Sequence, residues 1–179
     1  MNDLGESTVL PEVRLRPTTE ADTELLARLN EPEVCGEWDY FDDPKESMLN
    51  AKDYGGANHI VVLPNGEAVG LVSQIQVPHG PNQRSLAWSI GITILPEFRQ
   101  RHIGAAAQRT LAFHLFATSQ ANRVEADTDI GNISEQRSLQ HAGFSRESIA
   151  RGAQWRCGAW HDRVIFAMLR GDALNPEDD

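Results

Sequence analysis

The segment from Leu95 to Phe116 begins with a turn that carries two arginines, followed by a run of small residues and a long helical pattern. Arg99 and Arg101 precede Gly104 and three alanines, so almost no side chain covers the predicted helix N-terminus. A helix N-terminus exposes N–H groups that lack partners within the helix and carries the positive end of the helix dipole, so anions bind there. The pattern fits either a site for a phosphate-like anion or an ordinary solvated turn with a basic face.

Two common phosphate motifs and the usual metal patterns are missing from the sequence. It contains no GxxxxGK[ST] pattern and no GxGxxG after a predicted strand, which argues against a P-loop and a Rossmann site. The six histidines show no ligand spacing, and Cys35 and Cys157 form no CxxC pair. We therefore expect no metal, and a phosphate site would have to be of another type.

Composition and charge limit the class of protein. The chain has 179 residues, of which 40% are hydrophobic, and a formal net charge of −10. These values fit a single domain over residues 1–170 followed by an acidic, flexible tail over 171–179. The negative charge disfavours nucleic acid and anionic membranes as partners and favours cations. Because the chain has no leader-like start and no apolar run that would span a bilayer, we expect a protein of the reducing cytoplasm.

Apolar periodicity and turn residues divide the chain into strands and helices. Strands are predicted for 13–16, 59–63, 68–77, 85–95, 123–128, 147–155 and 163–169, and helices for 20–29, 44–52, 103–118 and 134–141. Asn65-Gly66 predicts a hairpin turn, Gly143 predicts a helix end, and residues 31–43 are predicted to be irregular. The order β-α-α-β-β-β-α-β-α-β-β predicts a mixed sheet with the helix over 103–118 as a crossover. The core-facing side of that helix is predicted to hold Ala107, Leu111, His114, Leu115 and Thr118.

The stretch from Arg99 to Gly104 resembles the coenzyme A loop of the GNAT superfamily of N-acetyltransferases, whose pattern is [Q/R]-x-x-G-x-[G/A]. His102 stands in place of the first glycine. The second half of the chain resembles the Rim-type branch, which acetylates the N-termini of ribosomal proteins. The residues that match this branch in order are Asn132, Gly143, Phe144, Gly158, Trp160 and Asp162. The resemblance covers residues 13–170. It implies the GNAT fold, an α/β (α+β) architecture with a mixed, mostly antiparallel sheet of six to seven strands, helices on both faces and a splayed central strand pair.

This resemblance implies acetyl-CoA as the acetyl donor. Its pyrophosphate would lie on backbone N–H groups between Arg99 and Ala105, and the His102 side chain is a further candidate for a phosphate contact. The pantetheine arm would run beside the strand that ends at Leu95, in the gap between the splayed strands. The residues expected to bind the cofactor are Ile92, Ile94, Arg99, Gln100, Arg101, His102, Ile103, Gly104, Ala105 and Asn132.

The resemblance also indicates where catalytic groups would stand. Ser89 occupies the position of the usual glutamate base, where it could hold a water, and Leu139 replaces the usual tyrosine acid. Glu135 stands where the Rim-type branch has a serine with an assigned acid role. It could act as a base or bind an ammonium group, or it could simply be an N-terminal carboxylate facing the helix dipole. Ser138 on the same helix is a weaker catalytic candidate.

The sequence Gly36–Asp43, GEWDYFDD, is the candidate wall of the acceptor site, because Rim-type relatives carry aromatic residues here. Its rings could form a box and its carboxylates could attract a cation. A solvated acidic loop with its rings in the core is the other interpretation. The residues expected to bind the acceptor are Glu37, Trp38, Asp39, Tyr40 and Phe41.

These observations predict an acetyl-CoA-dependent N-acetyltransferase that acts on a primary amine by direct transfer in a ternary complex. Neither cysteine has an evident activating partner, which disfavours a covalent acetyl-enzyme. The amine is either a protein N-terminus or an amine-bearing small molecule, such as a metabolite or antibiotic. Because the usual glutamate and tyrosine are absent, the alternative is a non-catalytic acyl-CoA-binding module that serves as a sensor or docking domain. The acceptor, the base and the oligomeric state, a homodimer included, stay open.

Overall fold

One mixed sheet organises the part of the chain that the computed structural model describes, residues 9–39 and 55–174. Its strands are β1 (Arg14–Pro17), β2 (Ala57–Val62), β3 (Ala68–Pro78), β4 (Leu86–Ile94), β5 (Arg123–Asp129), β6 (Ser145–Arg156) and β7 (Ala159–Leu169). Their spatial order is β1-β2-β3-β4-β5-β7-β6. All neighbouring pairs are antiparallel except β4 and β5, which are parallel. This confirms the predicted mixed, mostly antiparallel sheet.

The α-helices of the described ranges are α1 (Thr23–Leu29), α2 (Pro32–Asp39), α3 (Ile103–Thr118), α4 (Ile133–Ala142) and α5 (Arg170–Leu174). The sequence predicts an irregular segment where α2 lies, and this prediction is wrong. Gly36 interrupts α2 with a left-handed φ of 68°, which splits the helical periodicity into two short pieces. The segment predicted as a flexible tail begins with α5, while the helix predicted over 44–52 lies outside the described residues. No helix in the described ranges is both long enough and apolar enough to cross a membrane.

Several chain reversals follow from local residue chemistry. Gly66 has a φ of 89° in the turn between β2 and β3, as the Asn65-Gly66 pair predicts. Gly143 ends α4 with a φ of 94°, and its N–H donates to Gln140 O at 3.0 Å. A left-handed glycine at this position satisfies carbonyl groups that the helix leaves unpaired. These turns confirm the predicted boundaries around β2, β3 and α4.

Helices cover both faces of the sheet, as predicted. Adjacent residues of a strand point to opposite faces, and β3 shows this clearly. Val72 belongs to the main core with residues of α3, whereas Leu71 packs on a smaller cluster of Leu29, Val34 and Leu95. The sheet is therefore sandwiched between α3 on one side and α1 with α2 on the other.

The buried side of α3 differs from the predicted one. Ala107, Leu111 and Leu115 are buried, but His114 and Thr118 are exposed. At 100° per residue, the buried stripe is centred on Gln108, Ala112 and Leu115, so His114 lies beyond its edge and Thr118 lies in the last turn. The predicted face does not include Gln108, because the polarity of this side chain gives no indication that it is buried.

Candidate active site

The parallel contact between β4 and β5 is short. Trp88 pairs with Val124 and Ser89 with Glu125, whereas β4 continues to Ile94 and β5 to Asp129. The two strands diverge beyond these pairs, which confirms the predicted splayed pair. Backbone groups on the diverging edges are then available to a ligand that lies between the strands.

A cleft of about 1160 Å³ opens at this divergence. Residues of β3, β4, β5 and α2 line it, together with the first turns of α3 and α4. The predicted site residues on its walls are Trp38, Ser89, Ile92, Ile94, Arg99, Gln100, His102, Ile103, Gly104, Ala105, Asn132, Glu135 and Ser138. The fold thus brings most of the predicted cofactor and catalytic residues to one cavity.

Two left-handed residues lead into α3. Gln100 has a φ of 59° and His102 a φ of 56°, although neither is glycine. His102 is the N-cap, and the first bond of the helix runs from Ala106 N to His102 O at 3.0 Å. The N–H groups of residues 103–105 precede this bond and therefore have no acceptor within the helix. They stand on the cleft wall as potential anion donors.

Gly104 is the point where α3, α4 and β4 come together. A Cβ atom at this residue would lie 3.1 Å from Ser138 Oγ and 3.7 Å from Ile92 Cδ1. The neighbouring His102 ring contacts the His141 ring edge to face, with their centroids 5.0 Å apart. Any side chain larger than hydrogen at position 104 would therefore intrude on this end of the cleft.

Arg99 lies on the cleft wall, as expected of a cofactor-loop residue, and it also makes two contacts within the protein. Its Nε donates to Ile94 O at 2.8 Å and its Nη2 donates to Val34 O. The turn after β4 brings these two carbonyls within reach, so Arg99 ties β4 to α2 at the cleft wall. Arg101 lies outside the cleft lining, exposed, with its guanidinium carbon 5.7 Å from the centre of the Phe98 ring.

The first turn of α4 forms the opposite wall. Asn132 Oδ1 accepts a hydrogen bond from Glu135 N at 3.2 Å, so this side chain caps the helix at the cleft wall. The Glu135 carboxylate accepts from Gln108 Nε2, and Ser138 Oγ donates to Gln108 Oε1 at 3.0 Å. The two predicted catalytic residues of α4 are thus joined through a side chain that sequence reasoning did not single out.

Ser89 and Trp38 lie toward the α1–α2 side of the sheet. Ile92 faces the start of α3. Ser89 lies three residues before Ile92 in β4. Because successive residues of a strand point to opposite faces, Ser89 faces the other side of the sheet. The Trp38 ring packs on Gly131, where a Cβ would lie 3.0 Å from Cη2. The backbone of Glu37 and Asp39 belongs to α2. Tyr40 and Phe41, the remaining predicted acceptor residues, lie outside the described residues.

A buried arginine anchors this Trp38 wall, and the sequence gives no signal for it. Arg156 Nη2 lies 2.6 Å from Asp129 Oδ2, and the two side chains are 2% and 5% exposed. Arg156 Nη1 donates to Trp38 O at 2.8 Å, and its guanidinium carbon is 5.8 Å from the Trp38 ring centre. Only the pairing of β5, β7 and β6 brings these residues together, so spacing along the chain could not reveal the contact.

The charge of Asp129 is stabilised in spite of its burial. Burial disfavours the carboxylate, but hydrogen bonds from Gly131 N at 2.7 Å and from Arg156, with the nearby Arg156 and His161 charges, outweigh this and lower its pKa. His161 Nδ1 lies 3.2 Å from Asp129 Oδ2. This network fixes the end of β5, immediately before the Asn132 cap.

Other acidic residues of β5 are also paired with arginine. Arg163 Nε lies 2.6 Å from Asp127 Oδ2, and Arg123 lies 2.7 Å from Glu125 and 2.6 Å from Glu147. These pairs are more exposed than the Asp129–Arg156 pair, with Asp127 43% exposed. The carboxylates of this strand are therefore largely engaged in holding the strands together.

The arrangement suits an extended ligand that is anionic at one end. Backbone amides at the start of α3 can bind the anionic end, and the backbone of the diverging strands can bind its middle. Glu135 and Ser138 on one wall, and Ser89 where the strands rejoin, surround the path of such a ligand. Within the described ranges no group of three or more histidine, cysteine, aspartate or glutamate side chains is arranged to hold a metal ion.

Comparisons with known proteins bear on this geometry. The acetyltransferase (GNAT) domain model matches residues 12–145. The probable N-acetyltransferase YjcK of Bacillus subtilis (strain 168) is 30% identical over 120 residues, which are 67% of this chain. The matched region spans 62% of YjcK, less than two thirds of that protein's length.

Two solved structures share the fold. RimJ of Mycobacterium smegmatis, in complex with CoA-disulfide, has a TM-score of 0.73 and 22% identity, over 90% of this chain and 84% of RimJ. Spermidine N-acetyltransferase of Vibrio cholerae, in complex with CoA and spermine, has a TM-score of 0.73 and 17% identity, over 91% of this chain and 98% of that enzyme. Since the family model also spans well over half of the sequence, the chain belongs to the GNAT acetyltransferase family.

Proposed function

We propose that this protein is an N-acetyltransferase that transfers the acetyl group of acetyl-CoA to a primary amine. GNAT acetyltransferases use acetyl-CoA as their donor. The observation that carries the proposal is the cleft that runs from the start of α3 into the gap between β4 and β5. The pyrophosphate fits the amides of residues 103–105, and the pantetheine arm fits the gap, where it can bond to the β4 backbone beside Ile92 and Ile94. The thioester then comes close to Ser89, where the strands rejoin.

Much of the rate enhancement would come from holding the two substrates side by side. The amine must lose a proton before it attacks the thioester carbon, and the carbonyl must be polarised by hydrogen-bond donors. Glu135 is the candidate base, because it is a carboxylate on the cleft wall. Ser89 is a candidate to hold a water that relays a proton, and Ser138 is a second hydroxyl on the wall.

Direct transfer in a ternary complex is the mechanism that the cysteines favour. A covalent acetyl-enzyme needs a thiol with a base beside it. The Cys35 thiol donates its proton to Leu29 O at 3.2 Å. Cys157 lies in the turn between β6 and β7, outside the cleft lining.

Two acceptor classes are proposed, a protein N-terminus and an amine-bearing small molecule. RimJ and the spermidine N-acetyltransferase share the fold, and the second is named for its small polyamine substrate. A net charge of −10 favours a cationic acceptor of either class. Trp38, held against Gly131 at the cleft wall, is the described aromatic residue best placed to contact it.

Thiol release from acetyl-CoA, followed by mass spectrometry of the products, tests the proposal on a panel of polyamines, aminoglycosides and peptides with varied N-termini. We expect at least one amine to gain 42 Da, an acetyl group, with a matching release of thiol. Tight CoA binding with no turnover on any amine would instead favour the non-catalytic module.

Gly104→Glu tests the placement of the cofactor. The new side chain would meet Ser138 and place a negative charge where the pyrophosphate is proposed to bind. We expect the KM for acetyl-CoA to rise by roughly a hundredfold, a magnitude equivalent to losing the amide and dipole contacts. Gly171→Glu in α5 is the matched control, since a Cβ there meets nothing within 4 Å. An unchanged KM in the Gly104 variant would place the cofactor elsewhere.

A further inference from the structure

Gln108 is a fully buried polar residue in the middle of α3. It is 1% exposed, and its buried neighbours on the helix are alanine, leucine and phenylalanine. An unpaired amide in such a place would cost free energy, so a buried glutamine is kept only where its polar atoms find partners. Both partners of Gln108 come from α4, and both line the cleft.

The hydrogen bonds run in one direction. Ser138 Oγ donates to Gln108 Oε1 at 3.0 Å, and Gln108 Nε2 donates to a carboxylate oxygen of Glu135. The opposite orientation of the amide would place Oε1 against that carboxylate, with two acceptors and no proton between them. The chemistry of Glu135 therefore fixes the orientation of the amide, and the amide in turn fixes the hydroxyl of Ser138.

These hydrogen bonds determine what Ser138 and Glu135, at the two ends of the network, present to the cleft. The proton of Ser138 is directed into the protein, so its lone pairs are what this hydroxyl presents to the cleft. Glu135 is held as an acceptor, one helical turn closer to Asn132 than Ser138 is. Ser138 lies at the Gly104 end, where a Cβ would be 3.1 Å from its Oγ. Gln108 thus links the proposed cofactor end of the wall to the proposed base.

We propose that Gln108 is a positioning residue that orients Glu135 and Ser138 as hydrogen-bond acceptors toward the reacting amine and the cofactor. The inference rests on the proposed function. In the reaction, the ammonium form of the acceptor gives one proton to the Glu135 carboxylate, and the resulting amine attacks the thioester carbon. The C–S bond breaks, the thiolate takes the second proton of the nitrogen, and Glu135 returns its proton to solvent. The products are the N-acetyl amine and CoA thiol.

Gln108→Met is the direct test, because methionine has a similar length and no hydrogen-bond donor. We expect kcat to fall by roughly ten- to a hundredfold, because small displacements of reacting groups lower the rate of the chemical step by about this factor. The KM for acetyl-CoA should stay within about twofold. A crystal structure of the variant should show Glu135 and Ser138 in changed rotamers. Thr110→Val is the matched control, since it removes a hydroxyl bond to Ala106 O within the same helix and should leave kcat unchanged.

The exchange Gln108→Glu with Glu135→Gln gives a second test. Gln108→Glu alone sets two carboxylates against each other and should lower the melting temperature. Adding Glu135→Gln restores a carboxylate–amide pair, so the melting temperature should recover. The kcat should stay low in the double variant, because the carboxylate now belongs to α3. A structural role for Gln108 alone predicts instead that kcat recovers together with stability.

The outcomes separate this inference from the proposed function. Suppose that the unmodified chain acetylates an amine. Unchanged rotamers of Glu135 and Ser138 in Gln108→Met, or an unchanged kcat, then overturn the positioning role but not the proposed function. An unmodified chain that acetylates no amine overturns the proposed function, and with it the catalytic meaning of Gln108. Loss of kcat with displaced side chains and a preserved KM for acetyl-CoA supports the inference.

Discussion

Arg156 makes several buried contacts, although no pattern in the sequence indicates them. It pairs with Asp129 where both side chains are almost completely buried, and it also binds the carbonyl of Trp38. A buried charge without its partner is costly, so removing one member of such a pair destabilises far more than removing a surface pair. The Arg28–Glu97 pair provides the comparison, because its side chains are 47% and 44% exposed.

Arg156→Gln should lower the free energy of unfolding by about 3–5 kcal/mol, the range for breaking a buried pair. Arg28→Gln should lower it by no more than about 1 kcal/mol, as for an exposed pair. Urea denaturation of both variants against the unmodified chain measures the difference. Equal losses in the two variants would contradict the anchoring role given to Arg156.

At the scale of elements, α3 begins at a residue with a left-handed backbone, and this residue lies beside the proposed cofactor site. His102 has a φ of 56°, in the left-handed region that favours glycine, and it stands where the family pattern has glycine. The chain therefore adopts a left-handed conformation at the start of α3 with a residue that is strained in it. Residues 103–105 line the cleft in spite of this substitution.

Comparing His102→Gly with His102→Ala isolates this strain. Both variants lose the ring contact with His141, but only glycine relieves the left-handed backbone. The glycine variant should be more stable than the alanine variant by about 1–2 kcal/mol, the usual cost of a left-handed residue with a Cβ. Thermal unfolding measures the difference, and an alanine variant at least as stable as the glycine variant would refute the strain.

The sequence predicts the elements well wherever local chemistry decides. The helix over 103–118 matches α3, and Asn65-Gly66 and Gly143 lie at the turns they predict. The sequence fails at α2, because Gly36 breaks the pattern on which helix prediction depends. The splayed strands came from the family resemblance, since no periodicity indicates how far two parallel strands stay paired.

The candidate site is predictable only in part, for a related reason. The cofactor loop and the first turn of α4 follow from motifs within single segments. Gln108 and Arg156 are buried polar residues that no sequence pattern singles out, and each has a partner 27 residues away in sequence. The two carbonyls to which Arg99 donates likewise come near it only in the folded chain.

For the whole molecule, carboxylates with lowered pKa values make the free energy of unfolding depend on pH. Hydrogen bonding and nearby arginines lower the pKa values of Asp22 and Glu147, and Asp129 is lowered in spite of burial. The folded chain then binds fewer protons than the unfolded chain in the acidic range. Their stabilisation is complete at pH values above the ordinary carboxyl range and is lost as the pH falls through the folded values.

Asp22→Asn should flatten the acid side of this dependence. Arg16 donates to both carboxylate oxygens of Asp22, and Thr19 donates to one of them. Protonation of Asp22 therefore removes much of the stabilisation that these hydrogen bonds provide. The variant should be less stable than the unmodified chain at pH 7 and should lose less stability between pH 5 and pH 3. Arg16→Gln, which removes the main cause of the lowered pKa, should change the slope in the same direction. Urea midpoints at several pH values measure both, and an unchanged slope in either variant would contradict the assignment.

The most direct measurement is a crystal structure of the chain with acetyl-CoA bound. We expect the diphosphate to accept hydrogen bonds from the backbone N–H groups of residues 103–105 and the thioester to lie between β4 and β5 near Ser89. A bound nucleotide that leaves the start of α3 empty and occupies another part of the molecule would contradict the account.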